Sequence, residues 1–154
     1  MTISVLAVAG KPASWVQEAS DIYVKRLPRA WRLSVSLLAP SKKSGDAEGR
    51  KADEWRRVAA RLDASATLIL LDERGRGLGS RAFADNIRTR RDDGESLVFL
   101  IGGPDGVHDD CRQRAAQTLS LAPFTMPHEM ARVVLLEQIY RAHTIIERHP
   151  YHRD

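Results

Sequence analysis

The chain has 154 residues, 43% of them hydrophobic, and its 24 lysines and arginines against 20 acidic residues give a formal net charge of +4. This size and composition are typical of one globular domain, so we expect a single domain over residues 1–154. No apolar run is long enough to cross a bilayer and no basic leader precedes residue 10, so we expect a cytoplasmic protein without a membrane partner. The lone cysteine, Cys111, excludes an internal disulfide, and the mild positive charge is compatible with RNA or with acidic proteins.

The chain begins with an alternation of strand and helix. Ile3–Val8 is a nearly continuous apolar run, which is typical of a strand buried on both faces. Ser14 and Gln17 have the spacing of a capping box, with Ser14 as N-cap, and Pro28 ends the helix that follows. The residues expected on the buried face of that helix are Trp15, Ala19, Ile22 and Tyr23.

The second strand is predicted by the alternation of Leu33, Val35 and Leu37. The polar stretch Pro40–Ala52 is then interpreted as a loop. Its basic residues either contact RNA or, as we favour, face solvent; they are Lys42, Lys43, Arg50 and Lys51.

The rest of the chain repeats the pattern. Strands are predicted at Thr67–Leu71, at Leu97–Ile101 and around Leu119 and Leu121, with a glycine-rich turn at Asp72–Gly79. The helices are predicted around Trp55–Leu62, around Phe83–Ile87, from about Asp109, and from about Pro127 to Arg148. Five strands alternating with helices predict an α/β fold with a mostly parallel sheet.

Three loops follow predicted strands at the carboxyl edge of the sheet, where open α/β sheets bind ligands. Gly102–Gly106 reads Gly-Gly-Pro-Asp-Gly, which lets the backbone approach a ligand but is equally a good turn sequence. It has neither the spacing of a dinucleotide fingerprint nor the lysine of a P-loop. Ala122–Pro127 is apolar for a loop, so it either wraps a flat ligand or packs under a helix start. Leu71–Gly75 is the third loop.

The C-terminal part of the chain carries two further signals. The last helix has a wider apolar arc than one core-facing stripe needs, which indicates either deep burial or contact with a second subunit. The tail His149–Asp154 combines aromatic, imidazole and guanidinium groups. Tails are often frayed and inert, yet these groups can stack on a base, hold a phosphate or move a proton.

The chain resembles the ribosomal RNA large subunit methyltransferase H family. The resemblance spans nearly the whole chain and is carried by Leu6–Gly10, Tyr23–Leu27, Leu100–Gly106, Leu119–His128, Arg132–Ala142 and His149–Arg153. It implies a SPOUT fold, with a mostly parallel sheet of five to six strands, helices on both faces and a C-terminal trefoil knot. It also implies a homodimer that methylates N3 of a pseudouridine in 23S ribosomal RNA on the assembled 70S ribosome.

The resemblance further implies which residues hold the methyl donor, S-adenosylmethionine. They are Leu71, Gly103, Ala122, Pro123, Phe124, Thr125, Met126 and Pro127. The side chains at Pro123 and Phe124 stand at variable positions of the family, so backbone contacts are expected there. Ala9 stands where glycine is common, and we expect no effect from it.

Methylation of an imide nitrogen requires removal of its proton, so a base is expected in the site. His152 and, with less support, His128 are the candidates. Arg153 is suited to orient the base or to stabilise charge on the uracil oxygens, and Tyr151 to stack or position. We hypothesise that the tail of one subunit completes the donor pocket of the other. No metal is expected, because the histidines lack a ligand pattern.

Two other functions remain open at this stage. One is a SPOUT methyltransferase acting on transfer RNA, against which the absence of an added RNA-binding domain argues. The other is a non-catalytic ribosome-associated factor that binds the donor, against which the retained tail argues. None of these readings involves DNA.

Overall fold

In a computed structural model, which describes all residues from Met1 to Asp154, five strands alternate with five helices. The strands are β1 (Ile3–Val8), β2 (Leu33–Leu38), β3 (Thr67–Gly77), β4 (Leu97–Ile101) and β5 (Gln117–Ser120). The helices are α1 (Ser14–Arg26), α2 (Ala47–Ala59), α3 (Ser80–Asp92), α4 (Asp109–Arg114) and α5 (His128–Ile146), with a 3₁₀ turn at Arg29–Trp31. None of the helices is long and apolar enough to cross a membrane.

The strands form one sheet in the order β2-β1-β4-β3-β5, and every pair in it is parallel. The predicted α/β fold with a parallel five-stranded sheet is therefore confirmed. All five residues of β4 are buried, as expected for a central strand covered on both faces. Because all strands run in the same direction, the loops after β1, β3, β4 and β5 meet at one edge, which positions the site described below.

Helices cover both faces of the sheet, as the family resemblance implied. On one face α1, α3 and α5 pack around Phe99, Ile69 and Ile139, which are completely buried. On the other face α2 and α4 cover Leu68 and Leu70, and Cys111 of α4 belongs to this second core. Burial raises the pKa of the Cys111 thiol to about 12, which fits a small apolar side chain rather than a nucleophile.

The prediction for α1 is wrong in two respects. Its N-cap is Ala13, without a side-chain cap, rather than Ser14. The face that packs on the core carries Val16 and Ser20, whose hydroxyl donates to the Val16 carbonyl at 2.6 Å. Trp15 and Ile22 of the predicted buried face are instead 47% and 48% exposed.

Several predicted boundaries also change. The predicted loop Pro40–Ala52 is wrong from Ala47 onward, because Asp46 accepts from the Gly49 amide and caps α2 there. The predicted turn at Asp72–Gly79 is also wrong for most of its length, because residues 72–77 belong to β3, which ends at Gly77. β5 ends at Ser120, before Leu121, and α5 is shorter than predicted at both ends.

We expect His143 to make the fold less stable in mild acid. Its ring is buried on α5 against the edge of Trp31, with a 5.1 Å centroid distance, and its Nδ1 has no hydrogen-bond partner. Burial lowers the pKa of His143, so below about pH 6.5 the unfolded chain takes up a proton that the folded chain does not. The free energy of unfolding should therefore decrease as the pH falls through this range. Denaturant titrations between pH 7.5 and 5 should show a smaller decrease for His143→Phe than for His128→Gln, which removes an exposed histidine. Equal decreases in both variants would contradict the assignment.

Candidate functional site

A cavity of about 490 Å³ opens at the carboxyl edge of the sheet. Its walls are the middle of β3, the segments that follow β4 and β5, the start of α5 and parts of α2 and α4. This volume lies within the range of pockets that hold a small organic ligand. The cavity therefore joins the three loops that the sequence singled out.

The loop after β4 packs too tightly for larger residues. A Cβ atom at Gly102 would lie 2.5 Å from Cγ1 of Val107, and one at Gly103 would lie 3.0 Å from Cγ1 of Val8. Gly106 closes the turn through a hydrogen bond from its amide to the Gly103 carbonyl. The glycines thus keep the main chain of this loop low along the cavity floor, where its polar groups can face a ligand.

The second wall is an arch in β3. Leu71 and Arg76 both pair with Leu119 of β5, so the four residues between them bulge out of the sheet into the cavity wall. Gly75 allows β3 to return this close to β5 after the bulge, because a Cβ atom at Gly75 would lie 2.6 Å from the Leu119 carbonyl carbon. We name Asp72–Gly75 the β3 arch.

Ion pairs fix the rim of the cavity. Asp72 of the β3 arch accepts from Arg112 of α4 at 2.7 Å, and Asp105 of the glycine loop accepts from Arg50 of α2 at 2.8 Å. The Arg50 guanidinium holds the pKa of Asp105 below its usual value. Burial opposes ionisation of Asp72, but hydrogen bonds from the Arg74 amide and the Arg112 side chain outweigh it and lower its pKa. Both carboxylates are therefore ionised at neutral pH.

The third wall is the apolar loop after β5. Ala122, Phe124, Thr125 and Met126 line the cavity, and Phe124 is 83% exposed at its mouth. The Thr125 hydroxyl donates to Glu73 of the β3 arch at 3.2 Å, so the loop and the arch meet across the opening.

Two charged residues that the sequence did not single out as site residues are buried on helices that contribute to the cavity wall. Glu54 of α2 accepts from the Ser41 amide at 2.9 Å, and its second carboxylate oxygen lies under Gly103. Arg132 of α5 is 3% exposed and its Nε has no partner. No group of three or more His, Cys, Asp or Glu residues lies close enough to hold a metal ion.

The C-terminal tail lies against α5 of its own subunit, away from the cavity. The Tyr151 hydroxyl donates to Glu137 at 3.0 Å, and the Tyr151 ring packs on Tyr140 at 4.8 Å. Burial, followed by the bond to Glu137, raises the pKa of Tyr151. His152 contacts Arg141 through Nδ1 and Asp154 through Nε2, each at 3.1 Å. Arg153 is exposed and makes no hydrogen bond or ion pair.

The structure therefore divides the predicted site residues into two groups. The residues that line the cavity are Leu71, Gly103, Ala122, Phe124, Thr125, Met126 and His128. Pro123 and Pro127 lie in the same loop but not on the cavity wall, and the tail residues are not part of it. The rim residues Lys51, Arg112 and Asp105 were not predicted as site residues. Asp72 could have been predicted as a site residue, because it is a carboxylate at the carboxyl edge of the sheet. No sequence pattern predicts that Arg112 pairs with it.

Comparison with known proteins places this chain in a defined family. The family described as predicted SPOUT methyltransferase matches residues 1–152. Two solved structures share the fold, each with a TM-score of 0.57: a putative methylase family protein from Neisseria gonorrhoeae at 12% identity and a probable methylase family protein from Haemophilus influenzae at 13%. They cover 90% and 99% of this chain, which in turn covers 81% and 70% of theirs. The chain belongs to the SPOUT methyltransferase family.

Full-length relatives narrow the comparison further. Proteins named ribosomal RNA large subunit methyltransferase H are 42% identical in Laribacter hongkongensis, with 100% of both chains covered, and 45% identical in Brucella anthropi, with 99% of both covered. A third, from Neisseria meningitidis, is 40% identical over 100% of both chains. The relatives thus confirm the resemblance that the sequence motifs indicated.

Proposed function

We propose that this chain methylates N3 of a pseudouridine in 23S ribosomal RNA on the assembled 70S ribosome, using S-adenosylmethionine. The observation that carries the proposal is the cavity, which has the size of a donor pocket and is bounded by the loops that the family resemblance assigns to the donor. The chain's full-length relatives are named for ribosomal RNA methylation. Ribosomes are in the cytoplasm, so we place the protein there.

The residues present fit such a donor. Leu71, Ala122 and Met126 offer an apolar wall for an adenine ring, and Gly103 leaves room for main-chain contacts. The carboxylates of Asp72 and Asp105 at the rim are paired with Arg112 and Arg50, so they hold the walls of the cavity in place around such a ligand. When bound, the donor supplies a methyl group activated by a sulfonium.

The chain's own residues then have to bind the target base and take its N3 proton. His128 is the histidine that lines the cavity, whereas His152 lies on the tail with both ring nitrogens engaged in its own subunit. Arg153 has no partner in its own subunit and is free to contact the uracil oxygens. We therefore propose that Tyr151, His152 and Arg153 act in the pocket of a second subunit.

A homodimer gives the tail access to that second pocket. Trp15, Ile22 and Met130 are large apolar side chains at least 41% exposed on α1 and α5, the two helices that lie beside the tail. The main-chain amide of Ala13 donates to Glu129, which joins the starts of these two helices into one surface. An apolar surface of this kind is expected to be covered by another chain, and a second copy is the simplest partner.

The C-terminal trefoil knot that the family resemblance implies stays a prediction.

The proposal is tested by methyl transfer from labelled donor to 70S ribosomes, isolated 50S subunits and bulk transfer RNA, followed by mass spectrometry of the nucleosides. Label in 3-methylpseudouridine of 70S particles supports it. Label found only in transfer RNA keeps the chemistry and overturns the substrate. Donor binding without transfer to any RNA indicates a non-catalytic factor.

We expect Gly103→Ala to weaken donor binding about tenfold, or about 1.4 kcal/mol, with little change in stability. The new methyl group would press on Val8 and on the carboxylate of Glu54, at 3.0 and 3.1 Å, and shift the loop by a few tenths of an ångström. Isothermal titration with S-adenosylmethionine measures the change. Gly10→Ala, at a glycine with open space around it, is the matched control and should bind normally. Normal donor binding by both variants would contradict the assignment of Gly103 to the donor site.

A further inference from the structure

One segment of the chain concentrates unpaired positive charge. No acidic residue occurs between Ile22 and Gly45, whereas six basic residues do, and four of these fall within the eight residues Lys25–Arg32. We name Lys25–Arg32 the basic segment. Its four cations are Lys25, Arg26, Arg29 and Arg32.

All four cations are exposed, and none forms a salt bridge. This contrasts with most other arginines of the surface, such as Arg56 with Asp53 and Arg88 with Asp85. Like charges that lack acidic partners repel one another, so the positive potential of this group is available to an anionic partner.

The basic segment is held rigidly despite its exposed charges. Leu27 and Trp31 are 7% and 5% exposed and belong to the main core. The 3₁₀ turn ends at Arg32, whose left-handed backbone, with φ of 42°, donates its amide to the Arg29 carbonyl. The four cations are therefore presented from a fixed backbone, which reduces the entropy lost when they bind.

The basic segment lies beside the C-terminal tail. The Arg26 guanidinium lies 5.7 Å from the ring centres of both Tyr23 and Tyr140, and the Tyr140 ring packs on Tyr151 of the tail. At the other end of the segment, Trp31 packs on His143, which lies 5.7 Å from His149 at the start of the tail. An RNA strand that delivers a base to the tail therefore passes close to these charges.

We propose that the basic segment binds the phosphate backbone of the ribosomal RNA that flanks the target base. This inference rests on the proposed function, because it takes the RNA substrate from it, and adds the surface that holds the substrate. Phosphate contacts supply most of the sequence-independent affinity of RNA-binding proteins.

The test compares Arg29→Gln/Arg32→Gln with Arg56→Gln/Arg88→Gln. Both double variants lower the net charge by two, but the second removes arginines that pair with acidic residues of their own helices, α2 and α3. Binding to purified 70S ribosomes and 50S subunits is measured at several salt concentrations with constant magnesium, alongside methyl transfer, donor titration and sedimentation.

For the first variant we expect affinity and KM for ribosomes to worsen about tenfold, with the slope of log K against log salt reduced by about 1.4, or roughly 0.7 per cation. The kcat at saturating ribosomes, the donor Kd and the sedimentation coefficient should stay unchanged. The control variant should match the unmodified protein.

Each other outcome separates the claims. Equal behaviour of the two variants, whether both bind normally or both lose affinity alike, overturns the assignment of the basic segment. Loss of the dimer in the first variant also overturns it and makes the segment a subunit contact. Segment-dependent binding without any methyl transfer overturns the proposed function and leaves the RNA-binding surface standing.

Discussion

Removal of Tyr151–Asp154, or the single change Arg153→Ala, is expected to lower methyl transfer by about 10²–10⁴-fold, the range typical of a lost acid–base or charge-stabilising group. Donor affinity should fall much less than methyl transfer, because the loops that line the cavity stay intact and the tail is proposed to act on the target base in the partner's pocket. Stability should also stay unchanged for Arg153→Ala, since this side chain has no partner to lose. Single-turnover transfer to 70S ribosomes, with donor titration and thermal unfolding, measures the three quantities.

A matched control and a mixing experiment decide whether the tail acts on the partner's cavity. Arg88→Ala removes an exposed arginine from α3 and should retain full activity. Mixing Arg153→Ala subunits with Gly103→Val subunits should restore up to about a quarter of normal activity, because half of the random dimers then carry one intact composite site. No restoration from two separately folded, inactive variants would show that the tail serves its own subunit, and full activity of Arg153→Ala would remove Arg153 from the mechanism.

Gly75→Ala is expected to cost about 3 kcal/mol of stability, at the upper end of overpacking changes. The added methyl group would lie 2.6–2.8 Å from three main-chain atoms of Leu119 and Thr118, and main chain in a paired strand cannot move aside as a flexible side chain can. The melting temperature should fall by roughly 6–12 °C. Because the β3 arch forms one cavity wall, donor affinity should fall as well.

Gly77→Ala provides the comparison for Gly75→Ala. Gly77 belongs to the same strand, and a Cβ atom there has nothing within 4 Å. Its melting temperature should remain close to that of the unmodified protein. A similar small effect at both positions would mean that β3 and β5 do not cross as closely as described.

The sequence predicted the order and kind of the elements because strands buried on both faces have a simple signature. β1 and β4 were predicted with their observed bounds, since each is a short apolar run. The face of α1 could not be predicted, because Trp15, Ala19 and Ile22 form one apolar stripe and Val16 starts another. Periodicity finds both stripes, and only the tertiary structure decides which of them meets the core.

The parts of the site that depend on local sequence were predicted, and the parts that depend on pairing between distant residues were missed. The glycine loop and the apolar loop after β5 are unusual in themselves, and both line the cavity. The continuation of β3 to Gly77 was missed, because its charged residues and glycines are typical of turns. The ion pair between Arg112 and Asp72 joins α4 to the β3 arch, and no spacing rule connects residues so far apart in the chain.

Buried charge was the least predictable feature. Glu54 and Arg132 are charged residues on helices, and residues of this kind are usually exposed to solvent. Here they are 4% and 3% exposed. Burial of a charge carries a desolvation cost of several kcal/mol per ion, which the hydrogen bond from the Ser41 amide offsets in part for Glu54. Their burial follows from the tertiary structure alone.

The strand order has a consequence for how the protein is made. β1 pairs locally with β2, but its other edge pairs with β4, with Ile3 opposite Leu97, and β3 cannot be placed before β4 lies between them. A nascent chain therefore holds its first strand half-paired until about two thirds of the polypeptide has left the exit tunnel, and β5 and α5 follow later still. Such non-local pairing slows folding, so this small enzyme should depend more on chaperones during synthesis than its length suggests.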